Sequence, residues 1–220
     1  MTYDSLQEGY RTGSPFDLAK HLGDKGITRL LEIVCEAYTT LYRNRIVKPQ
    51  MSEDEITEEL FKEVNIAWSA SSVPPAVVPI NQKIDREHAK DRGKPPTIDF
   101  CFRDRWEKEA FFGFECKLLA EGNSRSYREY IKQGLYRYIE GRYCANGTVG
   151  SLIGYINTGR IAVIVKEIKT RVDKERIVEV MTLASSVSAF REHYVSTHLR
   201  EKDRSPFRIH HLFFSFVELK

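Results

Sequence analysis

Four cysteines are few for a chain of 220 residues, and none is arranged to hold a metal: Cys35, Cys101, Cys116 and Cys144 form no CxxC pair. Each sits in apolar surroundings, which argues against a disulfide framework or a zinc knuckle and predicts buried free thiols in a reducing compartment, by default the cytoplasm. Long hydrophobic runs are missing too. Nowhere do about 18 apolar residues follow one another, so no membrane span is expected, and Met1-Thr2-Tyr3-Asp4 opens no apolar signal region. Charge of one sign is also lacking. With 34 Lys plus Arg against 31 Asp plus Glu, the net charge is +3, and no global field announces a nucleic acid or a membrane. There is no internal repeat and no low-complexity tract. What is present, 41% hydrophobic and 30% charged residues, excludes wholesale disorder and fits one folded domain over 1–220.

Charge is segregated along the chain although its sum is small. Residues 53–63 carry six acids and one Lys, whereas residues 125–142 carry five bases, Arg125, Arg128, Lys132, Arg137 and Arg142, against Glu129 and Glu140. Residues 1–26 read as a loose polar arm. Apolar residues at helical spacing from Ile27 to Tyr42 predict a first helix over 27–43. Ser52 is placed to cap a second helix, with Glu53, Asp54 and Glu55 in its first turn at the positive end of the dipole. Projected at 100° per residue, Glu53 falls in the centre of the apolar stripe of Ile56, Leu60 and Val64, an unfavourable place for a carboxylate.

Pro74-Pro75 and Pro79 interrupt the pattern, and residues 81–96, with Lys83, Arg86, Lys90, Arg92 and Lys94, read as a basic surface loop. Thr97–Phe102 and Phe111–Leu119 alternate with period two and predict a hairpin. Residues 124–144 predict a long helix in which Gly134 and Gly141 allow a close approach to a sheet. Ser151–Ile156, Tyr194–Leu199 and Ile209–Val217 read as strands and Ile161–Ile168 as a helix. Ser196, His198 and Arg200 share one face of their strand, read as an exposed edge. His210 and His211 point to opposite faces, which disfavours a joint metal site.

Within this frame Glu115 and Lys117 project from one face of their strand, and Asp99 is placed to face them from the partner strand. Two carboxylates so close repel each other unless a cation neutralises them, and hard oxygen donors favour Mg²⁺ or Mn²⁺. An ammonium beside such a cation positions a water or stabilises the charge of a phosphorane-like transition state.

Pro96-Thr97-Ile98-Asp99, fifteen intervening residues, then Glu115-Cys116-Lys117 resembles the PD-(D/E)xK nuclease superfamily. The order of elements over about residues 51–156 agrees: an acidic helix, a hairpin bearing Asp and Glu-x-Lys, a helix, a further strand. Pro96 lies three residues before Asp99 rather than beside it, a departure from the literal motif. The resemblance implies an α/β fold with a central mixed sheet flanked by helices, a restriction-endonuclease-like core. It also implies that Asp99, Glu115 and the main-chain carbonyl of Cys116 bind Mg²⁺ or Mn²⁺ and that Lys117 assists the attacking water. Glu53 matches the family's helix-borne acid, with Glu59 as the alternative. Gln133 resembles a glutamine that exonuclease-like members place near the site, although Tyr136 and Tyr138 do not keep their tyrosine spacing.

The expected activity is therefore metal-dependent phosphodiester hydrolysis, in DNA rather than RNA. Arg125, Arg128, Lys132 and Arg137 are candidate phosphate contacts. A nuclease of this size resembles effectors of restriction or phage defence that act as a homodimer or with a partner subunit. The alternatives are an RNA-cleaving toxin and a non-catalytic nucleic-acid or protein-binding module on the same fold.

Overall fold

The computed structural model describes residues 17–73, 76–84, 97–107, 110–187, 190–201 and 203–217. Seven strands form one mixed sheet: β1 (Val77–Ile84), β2 (Thr97–Asp104), β3 (Phe111–Ala120), β4 (Val149–Thr158), β5 (Ile177–Leu183), β6 (His193–Leu199) and β7 (Pro206–Ser215). Their order is β1-β2-β3-β4-β7-β6-β5. The central pairs β3/β4 and β4/β7 are parallel, and the outer pairs are antiparallel. Four helices flank the sheet: α1 (Leu18–Arg43), α2 (Glu53–Ser69), α3 (residues 124–139) and α4 (Ile161–Val172). The expected class, α/β with a central mixed sheet between helices, is the architecture observed.

The strands at the middle of the sheet are buried on both faces, as parallel strands flanked by helices must be. On one face, α1 and α2 bury Leu31, Val34, Ile56 and Leu60 against Phe100, Phe112, Phe114 and Cys116. On the other, α3 and α4 bury Tyr130, Leu135, Ile164 and Ile168 against Leu119, Leu152 and Phe213. No helix among the described residues is long and apolar enough to cross a membrane. All four cysteines are buried free thiols.

The second helix begins as expected, because Ser52 and Glu55 exchange side-chain and main-chain bonds in a capping box. The first helix begins earlier than the periodicity suggests. Asp17 caps Ala19 and Lys20, and α1 runs through a kink at Gly23, so residues 17–26 are not a loose arm; residues 1–16 lie outside the described residues. Residues 81–84 complete β1 rather than opening a loop, and the rest of the basic stretch lies outside the described residues. Pro79 sits inside β1, which is an edge strand, where a missing amide costs no ladder bond. β5 was not legible as a strand. The Ser196, His198 and Arg200 row is buried and β6 is not an edge: β5 pairs with it, Ser196 and His198 bond each other beside His211, and Arg200 donates to the carbonyls of Tyr143, Cys144 and Ala145.

The long helical pattern is one helix with a π-helical centre, Tyr130–Leu135, between α-helical ends Ser124–Glu129 and Tyr136–Ile139. Gly134 does permit close approach: a Cβ there would stand 2.8 Å from Leu152 Cδ2. Gly141 does not serve that purpose. It lies beyond the helix with φ +73° and open space around it, so its role is the left-handed turn that ends the segment.

Candidate functional site: carboxylates at an open strand edge

The ladder between β2 and β3 stops early. Its paired positions run from Arg103↔Phe111 to Phe100↔Phe114 and go no further. In an antiparallel ladder every second residue turns its amide to the same neighbour, so Cys116 and Leu118 are the next amides that β2 would have received. Two carboxylates take them instead. Asp99 Oδ2 accepts from Cys116 N at 2.6 Å, and Glu53 Oε2 accepts from Leu118 N at 2.8 Å. The alternation of β2 also breaks at this point: Ile98 packs with Cys101 on the α3 side, while Phe100 packs on the α2 side.

Lys117 lies at the centre of this gap. Its ammonium is 2.8 Å from Glu115 Oε1 and 2.9 Å from Glu53 Oε1, and it donates to the Cys116 carbonyl at 2.6 Å. Those three acceptors match its three donors. Burial by itself would lower its pKa, but Glu115, Glu53 and Asp99 outweigh that and hold it above the usual lysine range. The carboxylates are raised as well. Burial first, then the charge of Asp99, raises Glu115 to about 7 against the pull of Lys117 and Arg137. Burial raises Asp99 to about 6, with Lys117 and the Cys116 amide opposing.

Asp99, Glu115, Lys117, the Cys116 carbonyl and Glu53 thus meet at one edge of β3. Glu53 is the helix acid that reaches it; Glu59 pairs with Lys62 at 2.8 Å instead. The anomalous position of Glu53 in the stripe has its reason, since the start of α2 points that carboxylate at the open amide of β3.

The other candidates scatter. Gln133 is exposed and no hydrogen bond or ion pair among the described residues ties it to the cluster. Arg125 is exposed and pairs with Glu129 at 2.8 Å, Arg128 is exposed, and Lys132 covers the ring of Tyr136. Arg137 is the exception. Its Nη1 lies 3.5 Å from Glu115 Oε1 and bonds the hydroxyl of Tyr143, which in turn donates to the Thr97 carbonyl at 3.0 Å. Tyr143 was not singled out by spacing, and nothing in a one-dimensional pattern ties it to Glu115.

Glu115 is 2% exposed, and its Oε2 is buried with no hydrogen-bond partner. A buried carboxylate oxygen without a donor is costly. Together with Asp99 and the Cys116 carbonyl it makes a hard, all-oxygen donor set that fits Mg²⁺ or Mn²⁺. No three His, Cys, Asp or Glu side chains close on a single point among the described residues, so a cation here would rest on two carboxylates, a carbonyl and water. Comparison with family models, with curated proteins and with solved structures finds no match to this chain.

A second polar group lies elsewhere, buried in β6 and β7. His193 Nε2 and His210 Nδ1 are 2.9 Å apart on one face of the sheet. On the other, Ser196 joins His198 and His211, and His211 bonds Tyr130. The opposite facing of His210 and His211 is as the alternation predicts.

Proposed function

We propose that the chain is a metal-dependent nuclease of the PD-(D/E)xK type, with DNA as its substrate class and the β3 edge as its active site. The observation that carries this reading is the buried, unpartnered Oε2 of Glu115 beside Asp99 and Lys117. Asp99, Glu115 and the Cys116 carbonyl would hold the cation, which when bound would polarise a phosphoryl oxygen and acidify a water. Lys117, held protonated among its acceptors, serves as a donor and a fixed positive charge rather than a base, and so orients the attacking water and offsets charge growing on the phosphate. Glu53 anchors Lys117 and the Leu118 amide together, so that the ammonium keeps its place when Glu115 turns to another partner.

The test is a cleavage assay on supercoiled DNA, linear DNA and structured RNA with Mg²⁺, with Mn²⁺ and with EDTA. Asp99→Ala and Lys117→Ala, each shown by circular dichroism to be folded, run beside the unaltered protein. Cleavage that needs the metal and disappears in both variants supports the reading, and the preferred substrate separates DNA from RNA. Metal-independent cleavage, or full activity in Asp99→Ala, would refute it.

A further inference from the structure

Glu115 has two cations beside it, and only one of them is fully engaged. Lys117 spends all three donors. Arg137 spends only Nη1, on Tyr143 and at 3.5 Å on Glu115, and its Nε and Nη2 make no hydrogen bond among the described residues. The guanidinium is held in place nevertheless. It lies 5.4 Å from the centre of the Tyr143 ring, and Tyr143 is buried and tied to Thr97. A guanidinium with free N–H groups, oriented by an aromatic ring and partly open to solvent, is a fork suited to two oxygens of one anion. Its present partner is the very carboxylate that the proposed cation would occupy.

From this arrangement we infer that Arg137 and the cation form a coupled phosphate site: while Glu115 lacks a cation Arg137 serves as its counter-ion, and once a cation binds Arg137 is released to hold a phosphate group. The inference rests on the metal-site reading above and assigns to that site the part that recognises substrate. Two effects of opposite sign follow. Arg137 repels the incoming cation, so its removal tightens metal binding. Arg137 attracts the phosphate, so its removal weakens the gain in nucleic-acid binding that metal brings. Loss of Arg137 also lets Glu115 hold its proton more firmly, but a divalent ion feels a missing positive charge twice as strongly as a proton does, so the first sign survives. A residue that merely supports the fold would weaken both.

The experiment uses Ca²⁺ at pH 8 as an oxygen-seeking divalent probe, so that binding is read apart from turnover. Calorimetry measures Ca²⁺ binding to the protein alone. Fluorescence anisotropy measures binding of a labelled 15-base-pair duplex in Ca²⁺ and in EDTA. For Arg137→Gln we expect Ca²⁺ to bind about threefold more tightly and the calcium-dependent gain in duplex affinity to fall by about tenfold, the scale of one lost charge-assisted contact. Arg137→Lys should keep the unaltered Ca²⁺ affinity and recover only part of the duplex gain, because the charge remains and the fork does not. Tyr143→Phe, which keeps the ring and removes the hydroxyl, should lose part of the gain as well. Weaker Ca²⁺ binding in Arg137→Gln, or an undiminished duplex gain, overturns the inference. If the unaltered protein binds Ca²⁺ and gains duplex affinity from it but cuts no nucleic acid in Mg²⁺ or in Mn²⁺, the nuclease reading falls and the phosphate site stands. If it binds no Ca²⁺, both fall.

Discussion

The carboxylate of Asp99 stands 2.6 Å from the main-chain nitrogen of Cys116, so that a side chain occupies the place of a strand that turned away. The bond fixes Asp99 at the site and at the same time satisfies an amide that the sheet leaves open. Asp99→Asn separates these two duties, since the amide oxygen still accepts from Cys116 while the charge is lost. Thermal denaturation of Asp99→Asn should fall within a few degrees of the unaltered protein, because a buried charge with a raised pKa is exchanged for a neutral isostere. Mn²⁺ affinity measured by calorimetry should drop by at least about tenfold, or 1.4 kcal/mol.

Glu53 and Glu59 provide an internal comparison on one helix. Glu53→Gln leaves the Lys117 ammonium with one carboxylate fewer and should cut the cleavage rate by at least about tenfold, the scale of one lost charge-assisted contact. Glu59→Gln breaks only the pair with Lys62. It should leave cleavage unchanged and shift stability by less than about 0.5 kcal/mol. Equal effects of the two substitutions would remove Glu53 from the site.

Proton release should accompany metal uptake. With Asp99 raised to about 6 and Glu115 to about 7, both hold protons in the folded protein at a pH where the unfolded chain has lost them. Their contribution to stability is therefore present at the acid end of the range from about pH 4 to 7 and is lost as pH rises through those values. A divalent cation displaces the protons. At pH 6, titrating Mg²⁺ in buffers of different ionisation enthalpy should reveal between about one and two protons released per ion bound, and at pH 8.5 almost none.

The buried histidines set the acid limit. Burial lowers His193 to about 4, and burial with its neighbours His193 and Arg208 lowers His210 to about 3. Both stay neutral in the folded protein while the unfolded chain protonates them near 6.5. The stability they contribute is present above that value and is lost as pH falls from 6.5 toward 4, by about 1.4 kcal/mol per unit for each histidine. Asp99 and Glu115 act in the opposite sense over the same range, so the histidine contribution is read as a difference: in urea unfolding between pH 4 and 6, the pH slope of His193→Gln should differ from that of the unaltered protein by about one proton.

Much of this architecture was legible from periodicity, because the apolar positions of β3, β4 and α2, and of β2 from Phe100 onward, are the ones that pack in the core. Asp99, Glu115 and Lys117 were legible for the same reason: alternation places them, and their charge makes them conspicuous on apolar strands. What failed did so for physical causes. β5 has only Met181 deeply buried, and Val178, Val180 and Leu183 are exposed, so no alternation marks it. Arg137 looked like one of several solvated bases, and only the fold distinguishes it by bringing Glu115 alongside. The buried row of Ser196, His198 and Arg200 reads as an edge in the sequence because polar side chains satisfied within the fold, Ser196 and His198 by each other and Arg200 by the carbonyls of Tyr143, Cys144 and Ala145, leave the same pattern as polar side chains in water.

The amides of Cys116 and Leu118 point toward a gap in the sheet, and an unpaired stretch of this kind is ordinarily a template on which another chain's strand can grow. Here Asp99 and Glu53 close it with negative charge. The groups that would serve chemistry therefore also act as gatekeepers against self-association, and their removal exposes the template. Variants that delete both carboxylates, such as Glu53→Ala with Asp99→Ala, should lose solubility at high concentration sooner than Lys117→Ala does, so that the colloidal behaviour of the protein is tied to its candidate site.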